Sequence, residues 1–184
     1  MLDLRPTAFD HPVATKLDGE IQQYYMQLYG GGDSTSMNAR HFDPPHGLFV
    51  VGYADGVAVA CGGWRARGDD YDERAGDPAL RLGDAEIKRM YVAERHRGRG
   101  YARAVLAELE RTAGAAGRRR MVLETGVPQP DAIALYTSAG YEPMTRFGDY
   151  RDSPNSRCYA KPLALIAPGG PARTDPSRVA SDDL

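Results

Sequence analysis

Apolar positions along the chain switch between two-residue and three-to-four-residue spacing, and the order of these periods predicts the elements. "MLDLRPTAF" alternates weakly and reads as a first strand. Asp10 offers a helix N-cap and Pro12 suits a first turn. Val13, Leu17, Ile21, Tyr24 and Leu28 then follow at steps of three and four, predicting a helix. "YGGGDSTSMNARHFDPPHG" ends it in a loop rich in glycine, proline and serine. "GLFVVGY" and "VAVACGGWR" are β-rich runs joined by "ADG", a hairpin signature. About 18 polar residues, Ala66 to Gly83, precede the strand-like "AEIKRMYV"; a loop that long inside a domain is usually functional or mobile.

A second helix is predicted from about Gly100 to Ala116. Ala102, Val105, Leu106, Leu109 and Ala113 form one apolar stripe, and Gly117 closes it. "RRRMVLET" reads as a strand, "PDAIALYTSAGY" as a short helix ended by Gly140, and "SRCYAKPLAL" as a last strand. The tail "APGGPARTDPSRVASDDL" has little to bury, so residues 166–184 are expected to be disordered after a single domain over 1–165. A hairpin followed by strand–helix–strand–helix order indicates a mixed α/β domain.

Charge changes this picture locally rather than globally. The net charge is −2, from 23 basic and 25 acidic side chains, which argues against a nucleic-acid partner. Cys61 and Cys158, with His11, His41, His46 and His96, match no metal-ligand spacing, so no metal is expected. No apolar run reaches membrane-spanning length and the N-terminus lacks a signal-peptide pattern, so a cytoplasmic chain with reduced thiols is expected.

The basic residues cluster. Arg95, Arg97, Arg99 and Arg103 share nine residues with Gly98 and Gly100, immediately before the second helix. A helix N-terminus carries unpaired N–H groups and a partial positive charge, and glycines let a ligand approach its backbone. "RHRGRGYA" therefore suits an anion such as a diphosphate. It matches neither a dinucleotide-binding GxGxxG nor a P-loop, and taken alone it reads equally as a basic solvated turn before a helix.

Arg95-x-x-Gly98-x-Gly100, placed between a strand and an amphipathic helix, resembles motif A of the GNAT superfamily of acetyl-CoA-dependent N-acetyltransferases. Farther on, "AIALYTSAGY" resembles that family's motif B. The resemblance covers roughly residues 47 to 163. It implies a GNAT fold: a central mixed, mostly antiparallel sheet of six to seven strands flanked by helices. It also implies a CoA pyrophosphate held by the turn Arg97, Gly98, Arg99, Gly100, Tyr101 and Ala102, with charge from Arg95, and a pantetheine arm paired with Met90, Tyr91 and Val92. Many members carry an asparagine where this chain has Gln129, whose amide would meet the pantetheine.

Amine attack on a thioester needs a proton acceptor, and the leaving thiolate benefits from a donor. Period two puts Glu86, Lys88, Met90 and Val92 on one face of the strand, and the resemblance makes Glu86 the base. The alternative for Glu86 is a surface strand residue paired with an arginine. Tyr136 takes the motif B tyrosine position, implying the acid; the alternative is an aromatic that packs. With no histidine or acid near Cys61 or Cys158 in sequence, transfer is expected to be direct.

The resemblance places the acceptor near Tyr24, Tyr25, Tyr29, His41, Trp64, Arg65, Tyr150 and Arg151. Arg65, Lys88, Arg89 and Arg151 would either line a positive wall for an acceptor carboxylate or be scattered surface charges. The expected function is acetyl transfer to a primary amine of a small or amino-acid-like molecule. Acetylation of protein lysines or N-termini, and a non-catalytic acyl-CoA sensor, are the alternatives; a homodimer is left open.

Overall fold

The computed structural model describes residues 1–33, 35, 37–68 and 76–164. Part of the predicted polar loop and the predicted disordered tail lie outside these residues. Seven strands form one sheet: β1 (Asp3–Pro6), β2 (Gly47–Ala54), β3 (Val57–Arg67), β4 (Asp84–Val92), β5 (Arg120–Gly126), β6 (Glu142–Pro143) and β7 (Ser156–Pro162). Their order is β1-β2-β3-β4-β5-β7-β6, antiparallel throughout except for β4 and β5. Helices α1 (Pro12–Tyr29), α2 (Tyr101–Ala115) and α3 (Pro130–Ser138) flank it.

Local chemistry explains most element ends. His11, rather than Asp10, caps α1, its ring nitrogen accepting from Val13 N at 3.3 Å. Asp55 and Gly56 turn the β2–β3 hairpin at φ 50° and 77°, the left-handed pair that a tight hairpin needs. The predicted stripe of α2 is buried at Val105, Leu106, Leu109 and Ala113, packed against Ala60, Trp64 and Ile87 of the sheet. Across the sheet, Ala14, Leu17 and Ile21 of α1 pack with Phe42, Phe49, Val51 and Cys61.

Two irregularities shape the middle of the sheet. First, β4 and β5 pair only at Asp84↔Arg120, Ala85↔Met121 and Glu86↔Val122. Arg120 clamps this closed end with an ion pair to Asp84 at 2.6 Å. β5 continues to pair with β7 as far as Gly126, while β4 continues beside β3. The two parallel strands therefore part beyond Glu86.

Second, β4 carries a bulge. Cys61 pairs with Tyr91 but Gly63 pairs with Lys88, so β4 holds one extra residue in that interval. Arg89 absorbs it at φ 58°. The strict alternation expected from the sequence is thereby corrected. Ala85 and Ile87 lie in the α2-side core, as do Val92 and the flanking Met90, while Tyr91 packs on the α1 side. The side-chain parity flips at Arg89, so Glu86 and Lys88 do not share a face with Met90 and Val92.

Candidate active site

The parting of β4 and β5 opens a cleft of about 370 Å³. Ile87 to Met90 form one wall, Glu124 to Gly126 the other, with Tyr25 and Tyr29 of α1, Tyr136 of α3 and Tyr150 around the rim. Backbone groups on both inner strand edges have no ladder partner here, which suits an extended chain laid between them.

Two ionisable groups in the cleft have proton affinities raised by burial. Glu124 is half-buried on β5; burial pushes its carboxyl above the usual carboxylate range. One of its oxygens accepts from Ser156 Oγ at 2.9 Å, and its second oxygen has no hydrogen-bond donor among the described residues. Tyr136 is 6% exposed, and burial raises its phenol far above neutral pH, so it stays protonated. Its hydroxyl reaches Met90 Sδ at 3.7 Å.

At the end of β4 the chain makes a short 3₁₀ turn, Glu94–His96, and enters the glycine turn. Gly98 and Gly100 sit at φ 73° and 78°, conformations costing other residues about 1–2 kcal/mol. A Cβ at either position would meet nothing within 4 Å, so open space faces the turn. The first intrahelical bond of α2 runs from Ala104 N to Gly100 O, and Arg97 N donates to Glu94 O at 3.2 Å, so the N–H groups left for an anion begin at Gly98. These features fit a CoA pyrophosphate.

Comparison with known proteins decides the family: residues 17–141 match the Acetyltransferase (GNAT) family. The chain is a GNAT acetyltransferase. It is 33% identical over 144 residues to the IAA acetyltransferase of Azospirillum brasilense, covering 78% of this chain and 86% of the relative. It is 37% identical over 97 residues to the uncharacterized N-acetyltransferase YsnE of Bacillus subtilis (strain 168), 50% of this chain and 64% of that one. A Klebsiella pneumoniae structure named as an acyl-CoA N-acyltransferase superposes with a TM-score of 0.70 at 26% identity, covering 89% of this chain and 99% of that one. The Escherichia coli ribosomal-protein-S18-alanine N-acetyltransferase gives 0.58 at 16% identity, over 91% and 97% of the two chains, and shares the fold. The GNAT fold expected from the two motifs is thus the observed one, and acetyl-CoA or another acyl-CoA is the family's donor.

Within this acetyltransferase the sequence-predicted residues separate into groups. Tyr136 and Met90 meet in the cleft, and Gln129 lines its edge. The Gln129 amide donates to Tyr29 Oη at 2.7 Å, bridging α1 to the start of α3. Arg95, Gly98, Arg99 and Gly100 are exposed, while Tyr101 and Ala102 pack partly on the core. The Arg97 side chain turns back instead: it donates to Val92 O at 3.1 Å and lies 5.0 Å from the Tyr24 ring. Tyr91 sits on the α1 side of the sheet.

Glu86 is not among the cleft residues. It is 2% exposed and accepts from Arg65 at 2.9 Å and Arg67 at 2.6 Å, with Lys88 at 3.3 Å. Burial alone would raise its carboxyl, but Lys88, Arg65 and Arg67 outweigh it and hold the group far below the usual range. A carboxylate so held is a weak proton acceptor and a strong structural anchor. Glu86→Gln is expected to cost about 3–5 kcal/mol in urea unfolding, since it breaks a buried ion cluster. The sign with pH follows from the lowered pKa. The stabilisation is full above the ordinary carboxylate range and is lost as pH falls below it, whereas the glutamine variant lacks this acid dependence.

The expected positive wall is likewise a network of pairs. Besides Arg65 and Lys88 on Glu86, Arg89 meets Asp33 at 2.7 Å and Asp18 at 3.0 Å, and Arg151 meets Asp77 at 3.6 Å. Tyr25, Tyr29 and Tyr150 do line the cleft. Trp64 is directed to Thr112 of α2 instead, donating at 3.0 Å. Asp33 was missed in the sequence: it accepts from Arg89, Tyr150 Oη and Thr35 N, tying the α1 exit to β4 and to the segment before β7. Among the described residues no helix is long and apolar enough to cross a membrane.

Proposed function

We propose that this enzyme transfers the acetyl group of acetyl-CoA directly to the primary amine of a small molecule in the β4–β5 cleft. The backbone from Gly98 to Ala102 holds the pyrophosphate, with Arg95 adding charge; the Arg97 N–H expected in this cradle is bonded to Glu94 O instead. Met90, Tyr91 and Val92 present the strand edge that pairs with the pantetheine, and Gln129 exchanges Tyr29 for it. The supporting observation is that a carboxylate, Glu124, and a phenol, Tyr136, line the same cleft.

Glu124, rather than Glu86, takes the proton from the entering ammonium. The freed nitrogen forms a bond to the acetyl carbonyl carbon, the C–S bond breaks, and Tyr136 gives its proton to the departing sulfur; the second proton of the nitrogen then returns to the Tyr136 oxygen, and the proton on Glu124 leaves to solvent. Burial makes Glu124 a better base than a solvated carboxylate; it keeps Tyr136 protonated while making it a weaker acid, so its proton moves only as charge develops on the sulfur. Ser156 orients the Glu124 carboxylate.

Tyr136→Phe tests the assignment because it removes only the hydroxyl, whose partner is a weak sulfur acceptor. The expected result is a kcat reduced about 10²-fold with acetyl-CoA KM within a few-fold of wild type. An unchanged kcat would remove Tyr136 from the proton path.

A further inference from the structure

The charges around the cleft narrow the acceptor, an inference that rests on amine acetylation at this site. The cations that reach the cleft are already committed. Arg89 is 6% exposed, donates to Asp33 and lies against Asp18, an ion pair at 3.0 Å that is not aligned as a hydrogen bond. Lys88 contacts Glu86 and also sits in the field of Asp33 and Glu124, lowering the proton affinity of both. Asp33 and Glu124 thus share the field of one ammonium, which also touches Glu86, and Asp18 and Asp33 share one guanidinium.

The hydrogen-bond acceptor that faces the cleft is an acid. Glu124 has one oxygen held by Ser156 and a second with no hydrogen-bond donor among the described residues. An entering ammonium supplies the missing donor and its charge is matched. A carboxylate on the acceptor would lie near Asp33 and Glu124; drawing Arg89 toward it would strip Asp33 of its charged partner, and drawing Lys88 would remove the cation in whose field Asp33 and Glu124 both lie. Tyr25, Tyr29 and Tyr150 offer flat, largely apolar walls, which accept an alkyl or aryl body and favour a cation over an anion.

We propose that the acceptor is a small primary amine whose ammonium is its only charged group: an alkylamine or arylalkylamine, rather than a free amino acid. Such acceptors are the products of amino-acid decarboxylation, so a reaction of that class would supply them.

The test compares matched acceptors with wild-type protein and acetyl-CoA: tyramine, tyrosine and tyrosine methyl ester, then isoamylamine, leucine and leucine methyl ester, with peptides carrying free N-termini or lysines alongside. The amines and esters are expected to exceed the free amino acids by about 10–100-fold in kcat/KM, the penalty for burying a carboxylate without a partner. Recovery of activity in the methyl esters separates the carboxylate's charge from the size of the substituent. A free amino acid that matches or exceeds its amine would overturn the inference while leaving amine acetylation standing. Peptides that outrun every small amine would overturn the small-molecule assignment as well. If no acceptor releases CoA although acetyl-CoA raises the melting temperature, the transfer reading itself fails, and the inference with it.

Discussion

Glu124→Gln is expected to lower kcat by about 10²–10⁴-fold, the usual worth of a positioned general base, with acetyl-CoA affinity and unfolding midpoint near wild type. The side chain is half-buried and its single observed partner is the Ser156 hydroxyl, which glutamine can still satisfy. The base must be ionised to act. Activity in the wild type therefore rises with pH through a pKa above the usual carboxylate range, and that acidic limb disappears in the variant. Glu86→Gln should do the reverse, lowering stability while retaining more activity per folded molecule than Glu124→Gln. The two variants together separate the carboxylate that reacts from the carboxylate that holds β3 and β4 in place.

Asp at Gly98 or Gly100 is expected to weaken acetyl-CoA binding by about 10²-fold or more. Each glycine has a left-handed φ, so any side chain adds about 1–2 kcal/mol of strain. Space in front of the turn is open, so the loss does not come from collision with the protein. It comes from a carboxylate that repels phosphate and competes for the N–H groups at the start of α2. The corresponding alanine variants carry the strain without the charge and should lose less. Calorimetric affinities at two salt concentrations divide the parts, since only the charge contribution shrinks with salt. Unchanged affinity in both Asp variants would place the pyrophosphate elsewhere.

Much of the glycine turn and of the helix behind it was legible in the sequence because both depend on local chemistry. Gly98 and Gly100 mark the turn, and the spacing of Val105, Leu106, Leu109 and Ala113 marks the helix behind it. Tyr136 followed from the motif B spacing and lies in the cleft. The expected alternation along β4 did not hold, because a single extra residue at Arg89 reverses the side-chain faces between Glu86 and Val92. Arg89 at φ 58° carries that bulge, and an arginine gives no sign of a left-handed backbone.

A signal did exist in the neighbouring strand. Gly62 and Gly63 lie opposite the bulge, and a Cβ on Gly62 would come within 3.0 Å of Met90 Cγ and Val105 Cγ1. Paired glycines inside a strand report close approach, and here they report an irregular partner. Glu124 had a signal too: a lone acid ending the apolar run of "RRRMVLET" in a strand buried on both sides. Its place in the cleft depends on where β4 and β5 part, which no local pattern encodes. Asp33 was illegible for the same reason, since Arg89 and Tyr150 reach it from 56 and 117 residues away.

The most direct test of acetyl transfer in the β4–β5 cleft is CoA thiol release by purified protein, followed with acetyl-CoA and primary amines while the products are weighed by mass spectrometry. The account predicts release that requires the amine, one CoA for each acetylated amine, and near-complete loss of both signals in Glu124→Gln protein that still binds acetyl-CoA. Release that is indifferent to the amine, or full turnover by Glu124→Gln, would contradict it.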